Sequence, residues 1–451
     1  MRKRISAFFS VLAAIVLLTV PASAASSGST LKIICADAGQ VIFTPPGSTQ
    51  YAYRYGPAIL IDGDRIDIWA SAPPLVSNGV RYGNDSIEYI RSTDGGKTWT
   101  EWKTVLYPTL NSEDQWSTCD PGAFKYGDYY YVGYTGSPEF RTNPDKEKQV
   151  NNLFIARAKN PEGPYEKWNG NGWGGDPYAI TRYSGDGVGC SMPSFTVKGD
   201  TLYMYYVDQT HPDQDWNSEG NISVSTFSLK DPNWPGNELS NKMCENKPEE
   251  VRYCPDIDKF IGFQLKGGWD YDSYVEIYES TDGVNFTKTS SFRNNFPHYA
   301  HNIGISGNNL GQLDLSIQNY IGTAYTPTGV EAWWGHWHTQ LIPLYIREER
   351  PSSTTSSQPS VSTDSSSQKP TTSSVGSTDG KSSETEVSEP QNSNIESTVS
   401  DNKDKDKEVN NKTEQQEETS YLWLYIVIGA VVVLAGAGTA VYFLVIKKKH
   451  V

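Results

Sequence analysis

Three stretches decide the fold: Pro57–Trp69 (PAILIDGDRIDIW), Pro121–Tyr134 (PGAFKYGDYYYVGY) and Pro193–Tyr206 (PSFTVKGDTLYMYY). They align without gaps. Each opens on Pro, reaches Gly-Asp six residues later and runs on into an aromatic-rich segment. β-Branched and aromatic runs favour strands, and Gly-Asp supplies the backbone freedom of a tight hairpin turn. A weaker fourth copy begins at Pro255 and a fifth at His301. A second strand pair is expected after each copy, at Ile87–Trp99, Leu153–Trp168, Ile222–Trp234, Tyr274–Phe286 and Trp333–Ile346. Four strands per unit, repeated radially, make a propeller blade. The repeat therefore predicts an all-β, five-bladed β-propeller over residues 25–350, with the strand near Leu31–Cys35 closing the ring by joining the last blade.

Outward from this domain the composition changes. Residues 1–24 hold Met1-Arg2-Lys3-Arg4, an apolar run and Ala22-Ser23-Ala24, the layout of a secretory signal peptide. Residues 351–420 are mostly Ser, Thr, Asp, Glu, Lys, Gln and Asn with no aromatic residue. Such a segment cannot bury enough apolar surface to offset chain entropy, so a disordered linker is expected. Stretched out it would reach about 230 Å. Residues 421–446 carry no charge, which is long enough for one transmembrane helix, and Lys447-Lys448-Lys449 open a short cytoplasmic tail over 447–451. The expected arrangement is a single-pass cell-surface protein anchored by its C-terminal helix. The net charge of −15 excludes a nucleic-acid partner, which needs clustered Lys and Arg. Five Cys in 451 residues are no disulfide framework, although Cys244 and Cys254 are close enough in sequence for a local bridge.

Two turns are sharper. Ser92–Trp99 (STDGGKTW) has the S-x-D-x-G-x-T-W form of an Asp box, and Ser280–Phe286 (STDGVNF) is a shorter relative. An Asp there accepts backbone N–H groups while the aromatic residue packs between strands, so a structural role is expected. With the repeat, these turns resemble secreted glycoside hydrolases of two kinds. One is the sialidase. Tyr53-Arg54-Tyr55-Gly56-Pro57 is similar to its first-strand motif, and Asp85 precedes the first box where its acid falls. That resemblance implies a six-bladed ring and an exo-sialidase. The other is the five-bladed arabinanase, β-xylosidase and fructosidase type, whose inner strands open on Asp-Pro, Asp-Pro and Glu-x-Pro-like motifs. Cys119-Asp120-Pro121 looks like the second of these. Gly56 stands at the first position and Ser191 at the third, where that type has carboxylates.

Residues just before each repeat Pro should converge on the central mouth. Glycoside hydrolysis needs two carboxyl groups flanking the scissile bond. The catalytic candidates are Asp120, Asp256, Asp186 and Asp85. The substrate-binding candidates are Arg54, which suits a sugar carboxylate, Tyr55, Ser191, His301, and the loop tryptophans Trp116 and Trp269, with Trp173 and Trp216 beside them. His301 is also a candidate proton donor. No Cys/His spacing marks a zinc site; a structural Ca2+ is left open. The expected function is a cell-surface glycoside hydrolase acting on glycans. The alternative is an inactive propeller that binds carbohydrate or a surface partner.

Overall fold

The computed structural model describes residues 28–47, 52–143, 146–182, 188–210, 220–328 and 335–350. The expected signal peptide, linker, transmembrane helix and tail lie outside these residues, as do Asp186 and Trp216. Every regular element among the described residues is a β-strand.

Strands β1 (Thr30–Cys35) and β2 (Gln40–Phe43) come first. Blade I contains β3 (Tyr55–Asp62), β4 (Arg65–Ala72), the small hairpin β5 (Leu75–Ser77) and β6 (Val80–Tyr82), then β7 (Ser86–Ser92) and β8 (Lys103–Leu106). Blade II contains β9 (Ser117–Tyr126), β10 (Tyr129–Ser137), a second hairpin β11 (Phe140–Asn143) and β12 (Lys146–Gln149), then β13 (Asn152–Ala158) and β14 (Glu166–Lys167). Blade III is β15 (Gly189–Lys198), β16 (Thr201–Gln209), β17 (Asn221–Ser228) and β18 (Glu238–Met243). Blade IV is β19 (Glu250–Cys254), β20 (Lys259–Lys266), β21 (Tyr274–Ser280) and β22 (Thr287–Phe292). Blade V is β23 (Ala300–Gly307), β24 (Asn319–Tyr325) and β25 (His338–Glu349), completed by β1, which pairs antiparallel with β25 from Thr30↔Glu349 to Cys35↔Leu344. The first strand thus closes the last blade. Strand β2 also pairs with β25.

The innermost strands touch in the closed order β3, β9, β15, β19, β23 and back to β3. At the seam β23 runs parallel to β3, with Ser306 opposite Ile59. Five blades complete the circle, and the six-bladed alternative is overturned. The axis is narrow, and two glycines show why. A Cβ on Gly304 would lie 1.6 Å from the Pro57 carbonyl oxygen, and one on Gly122 would lie 2.0 Å from that of Pro193. Only glycine lets neighbouring inner strands approach so closely. Farther out, aromatic residues fill the wedge between blades: Trp69 and Tyr134 between I and II, Phe124 and Phe195 between II and III, Tyr205 and Phe260 between III and IV. This wedge packing absorbs much of the aromatic content.

The fourth repeat copy is displaced from its expected place. Pro255–Asp258 is the turn after β19, where the first three blades have Gly-Asp, and Cys254 pairs with Lys259 across it. The inner strand of blade IV begins after Pro248. Cys244 and Cys254 do not form a bridge; all five cysteines are free and buried. Cys254 packs between blades IV and V, whereas Cys244 packs between III and IV, so the inner sheet of blade IV separates them.

The two box-like turns join the third and fourth strands of blades I and IV. Asp94 Oδ1 accepts from Thr98 N (2.9 Å) and Ser92 Oγ (2.8 Å), and Oδ2 accepts from Thr98 Oγ1 (2.7 Å). Those donors, the Thr98 hydroxyl and amide first, pull its carboxyl down to about 2. Asp282 Oδ1 accepts from the amides of Val284 and Asn285. Both carboxylates are engaged in their own turns.

Candidate functional site

Inner strands begin at one face of the ring, the mouth, and end at hairpins on the other. Near the start of four of them one residue takes a left-handed conformation: Gly56 (φ 57°), Asp120 (φ 48°), Met192 (φ 57°) and Asn302 (φ 57°). At each the pairing with the second strand slips, so each is a β-bulge. The bulge amide is capped by a hydroxyl of the preceding blade, Ser71 Oγ for Asp120 (2.7 Å) and Thr135 Oγ1 for Met192 (2.9 Å). This geometry corrects the expected register. The third-blade equivalent of Asp120 is Met192, and the buried Ser191 is in step with Tyr55, Cys119 and His301.

Asp120 is the carboxylate at this level. Cys119 Sγ lies 3.4 Å from its Oδ2, and the Thr135 hydroxyl also donates to it. Burial, opposed by these two donors and helped by the nearby Asp85, raises its carboxyl to about 6. A Cβ on Gly56 would be 3.6 Å from Asp120 Oδ1, so the absent side chain leaves a notch beside that oxygen.

Asp85 lies beneath the mouth, 3% exposed. Its oxygens accept from Tyr53 OH (2.5 Å), Ser117 Oγ (2.9 Å) and Asn84 Nδ2 (3.1 Å). Burial raises its pKa despite these donors. The structure thus places Asp85 beneath the mouth, held by these donors, rather than on its surface.

Beside Asp120 stands an aromatic wall. The Tyr55 ring is 5.4 Å from His301, and His301 lies 4.4 Å from both Trp269 and Trp337. Tyr55 and Trp337 are buried, whereas Trp269 is 37% exposed on the β20–β21 loop, its amide bound to the Ala300 carbonyl at the start of β23. Burial lowers the His301 imidazole to about 3. Its ring packs against Tyr55, Trp269 and Trp337 as part of the wall. Trp116 immediately precedes β9. Its loop is tied down by Lys167, whose Nζ reaches Asp114 Oδ2 (2.5 Å), Tyr107 O (2.6 Å) and Thr109 Oγ1 (3.0 Å). Trp173 packs among Tyr131, Trp168 and Trp234 on the outer side of blade II.

Two candidates leave the mouth altogether. Arg54 alternates with Tyr53 and Tyr55 and so points the other way. It pairs with Glu88 (2.6 Å), donates to Tyr53 O (2.6 Å) and lies over Phe43. It is committed to this packing and offers no free guanidinium to a sugar carboxylate. Asp256 is exposed in the turn after β19, at the far face, where its Oδ2 accepts from Leu315 N (3.2 Å).

Other polar residues stand at the mouth end of the inner strands. Glu249 and Glu250 mark the mouth end of β19. Glu250 pairs with Arg252 (2.8 Å) and accepts from Ser194 Oγ (3.1 Å), and burial raises its carboxyl against the pull of Arg252. Asn302 Nδ2 lies 3.6 Å from Met192 Sδ. Pairing register would have found them: counting back from the hairpins, rather than forward from Pro, puts Glu249-Glu250 at the mouth. For the open Ca2+ expectation, no group of three or more His, Cys, Asp or Glu that could hold a metal occurs among the described residues. A cavity of about 470 Å³ lined by Trp168, Asn169, Tyr178 and Pro235 lies on the outer side of blades II and III, away from the mouth.

No family model matches this sequence, and no curated protein does. Solved structures similar to it include an α-L-arabinofuranosidase from Podospora anserina in complex with cellotriose, at 11% identity over 71% of this chain and 98% of that one, with a TM-score of 0.45. A family 117 glycoside hydrolase from Zobellia galactanivorans is similar at 15% identity over 71% and 91%, with a TM-score of 0.46. An α-L-arabinofuranosidase from Clostridium thermocellum is similar at 14% identity over 66% and 95%, with a TM-score of 0.41. Identities this low do not carry a function across.

Proposed function

We propose that this protein is a glycan-acting hydrolase held outside a membrane by its C-terminal segment, with Asp120 as a proton-transferring carboxyl. The observation that carries the reading is the state of Asp120: a mouth carboxyl raised to about 6, with Oδ1 beside the Gly56 notch. A catalytic acid or base works best with a pKa near the working pH. Flat indole faces suit the apolar faces of sugar rings. The second carboxyl that glycoside hydrolysis requires would come from Glu249, Glu250 or Asp186. A glycan-binding propeller without turnover is the second reading, favoured by Gly56 and Met192 at two positions equivalent to Asp120. The exo-sialidase reading loses its support with the engagement of Arg54.

The test is hydrolysis of a panel of aryl glycosides and oligosaccharides by the full-length protein, alongside binding to a glycan array. Turnover lost in Asp120→Asn supports the hydrolase. Binding without turnover of any substrate moves the protein to the second reading, and neither binding nor turnover overturns both. Trp269→Ala is expected to weaken glycan binding by about 1.4 kcal/mol, roughly tenfold in Kd by titration calorimetry. An unchanged Kd would remove Trp269 from the ligand surface.

A further inference from the structure

The two oxygens of Asp120 have different surroundings. Oδ2 is met by the Cys119 sulfur at 3.4 Å, whereas Oδ1 borders the Gly56 notch. One layer down, Ser117 Oγ lies 2.9 Å from Asp85 Oδ2 and 3.4 Å from Cys119 Sγ. A hydroxyl has one proton to give, and the shorter, charge-assisted contact to Asp85 takes it. In its contact with Asp120 Oδ2 the Cys119 thiol is the donor. Tyr55 donates to the same sulfur, and burial together with Asp120 and Asp85 keeps the thiol protonated. Asp85 accepts from Tyr53, Ser117 and Asn84, and so joins the segment before β3, the end of the β6–β7 loop and the start of β9. It fixes the layer on which Cys119 and Asp120 stand.

We propose that Cys119 and Asp85 are positioning residues for Asp120: the Cys119 thiol clamps Oδ2, Asp85 anchors the Tyr53–Ser117 layer beneath it, and Oδ1 is the oxygen presented to a ligand. The groups facing Asp120 are Cys119 on its own strand, Thr135 on β10, Tyr55 beside the notch on β3, and Asp85 from below. Among the described residues no Lys or Arg pairs with it. Its consequence for turnover rests on the function proposed above; the geometry itself does not.

The experiment is carbodiimide labelling of Asp120 in the full-length protein as a function of pH, read by peptide mass spectrometry. The reagent attacks protonated carboxyls, so the rate falls through the Asp120 pKa. Cys119→Ala removes a donor to the charged form and is expected to raise the midpoint by about 0.5 pH unit, modest because thiols are weak donors. Cys119→Ser keeps a donor in place and should fall nearer to wild type than Ala does. Asp85→Asn removes a negative neighbour and should lower the midpoint. Gly56→Ala covers Oδ1 and should slow labelling several-fold without moving the midpoint. An Ala variant identical to wild type, or Ser and Ala variants with the same midpoint, would overturn the role of Cys119. A midpoint unmoved or raised in Asp85→Asn would overturn that of Asp85. Labelling requires no turnover, so these outcomes stand whether or not the mouth hydrolyses a glycan.

Discussion

Asp120→Asn is expected to stabilise the fold at neutral pH and, on the hydrolase reading proposed above, to cut turnover sharply. Loss of a general acid or base costs on the order of a thousandfold in rate. The stability effect follows from linkage. The folded-state carboxyl titrates near 6 against an ordinary value of 3.8. Between those values the folded protein holds a proton that the unfolded chain has released. Stability therefore falls as pH rises through this window, and the whole penalty is present above about 6. Two pH units correspond to at most about 3 kcal/mol, and partial solvent contact at the mouth reduces this to roughly 1–2 kcal/mol. Asparagine has no charge to desolvate and escapes the penalty. Melting curves of wild type and Asp120→Asn should differ by a few degrees at pH 7, the variant melting higher, and should converge as pH falls toward 4. A variant less stable than wild type at pH 7 would mean that Asp120 is held as a stabilised anion, the wrong state for proton transfer near neutrality. A buried carboxyl that weakens its own scaffold is the usual cost of a raised pKa.

The architecture was largely legible because it rests on repetition. Pro, Gly-Asp and an aromatic strand recur in blades I, II and III with constant spacing, and a strand at the N-terminus with no other partner is the natural closure. Blade IV was misplaced because a single residue type, Pro, served as its marker. Pro255 stands in a turn, and only the pairing of Cys254 with Lys259 reveals that the inner strand lies before it. Position at the mouth was legible for Asp120 and Tyr55, where the repeat is intact. It failed at Arg54, where strand alternation between Tyr53 and Tyr55 sends the guanidinium to Glu88. It failed by one residue at Ser191, because a β-bulge inserts a left-handed position that leaves no mark on the residue types Asp, Gly, Met and Asn. The burial of Asp85 brings in two donors from distant segments, Tyr53 and Ser117, beside its neighbour Asn84, which no local pattern encodes.

Arg252→Met is expected to cost about 3–5 kcal/mol, because the arginine bonds three inner strands to one another. Its side chain is 6% exposed. Nε and Nη2 donate to the Ile305 carbonyl on β23 (3.0 and 2.5 Å), Nη1 donates to Ser194 Oγ on β15 (2.7 Å) and to Val251 O (2.9 Å), and Nη2 pairs with Glu250 (2.8 Å). Methionine fills a similar volume but strands the Glu250 carboxylate and leaves the Ile305 carbonyl without these donors. Lysine should not rescue it, since one ammonium cannot serve the carbonyls, the hydroxyl and the carboxylate that the guanidinium fork spans. The loss should change little between low and high salt, because buried pairs are weakly screened. The decisive comparison is the double variant Glu250→Gln/Arg252→Met. If the cost of the single change comes mainly from the stranded charge, the double variant recovers most of it in urea unfolding. If it recovers none, the arginine acts through its carbonyl contacts, as the bolt across β15, β19 and β23. A single variant within about 1 kcal/mol of wild type would refute both accounts, since that is the range of an exposed pair.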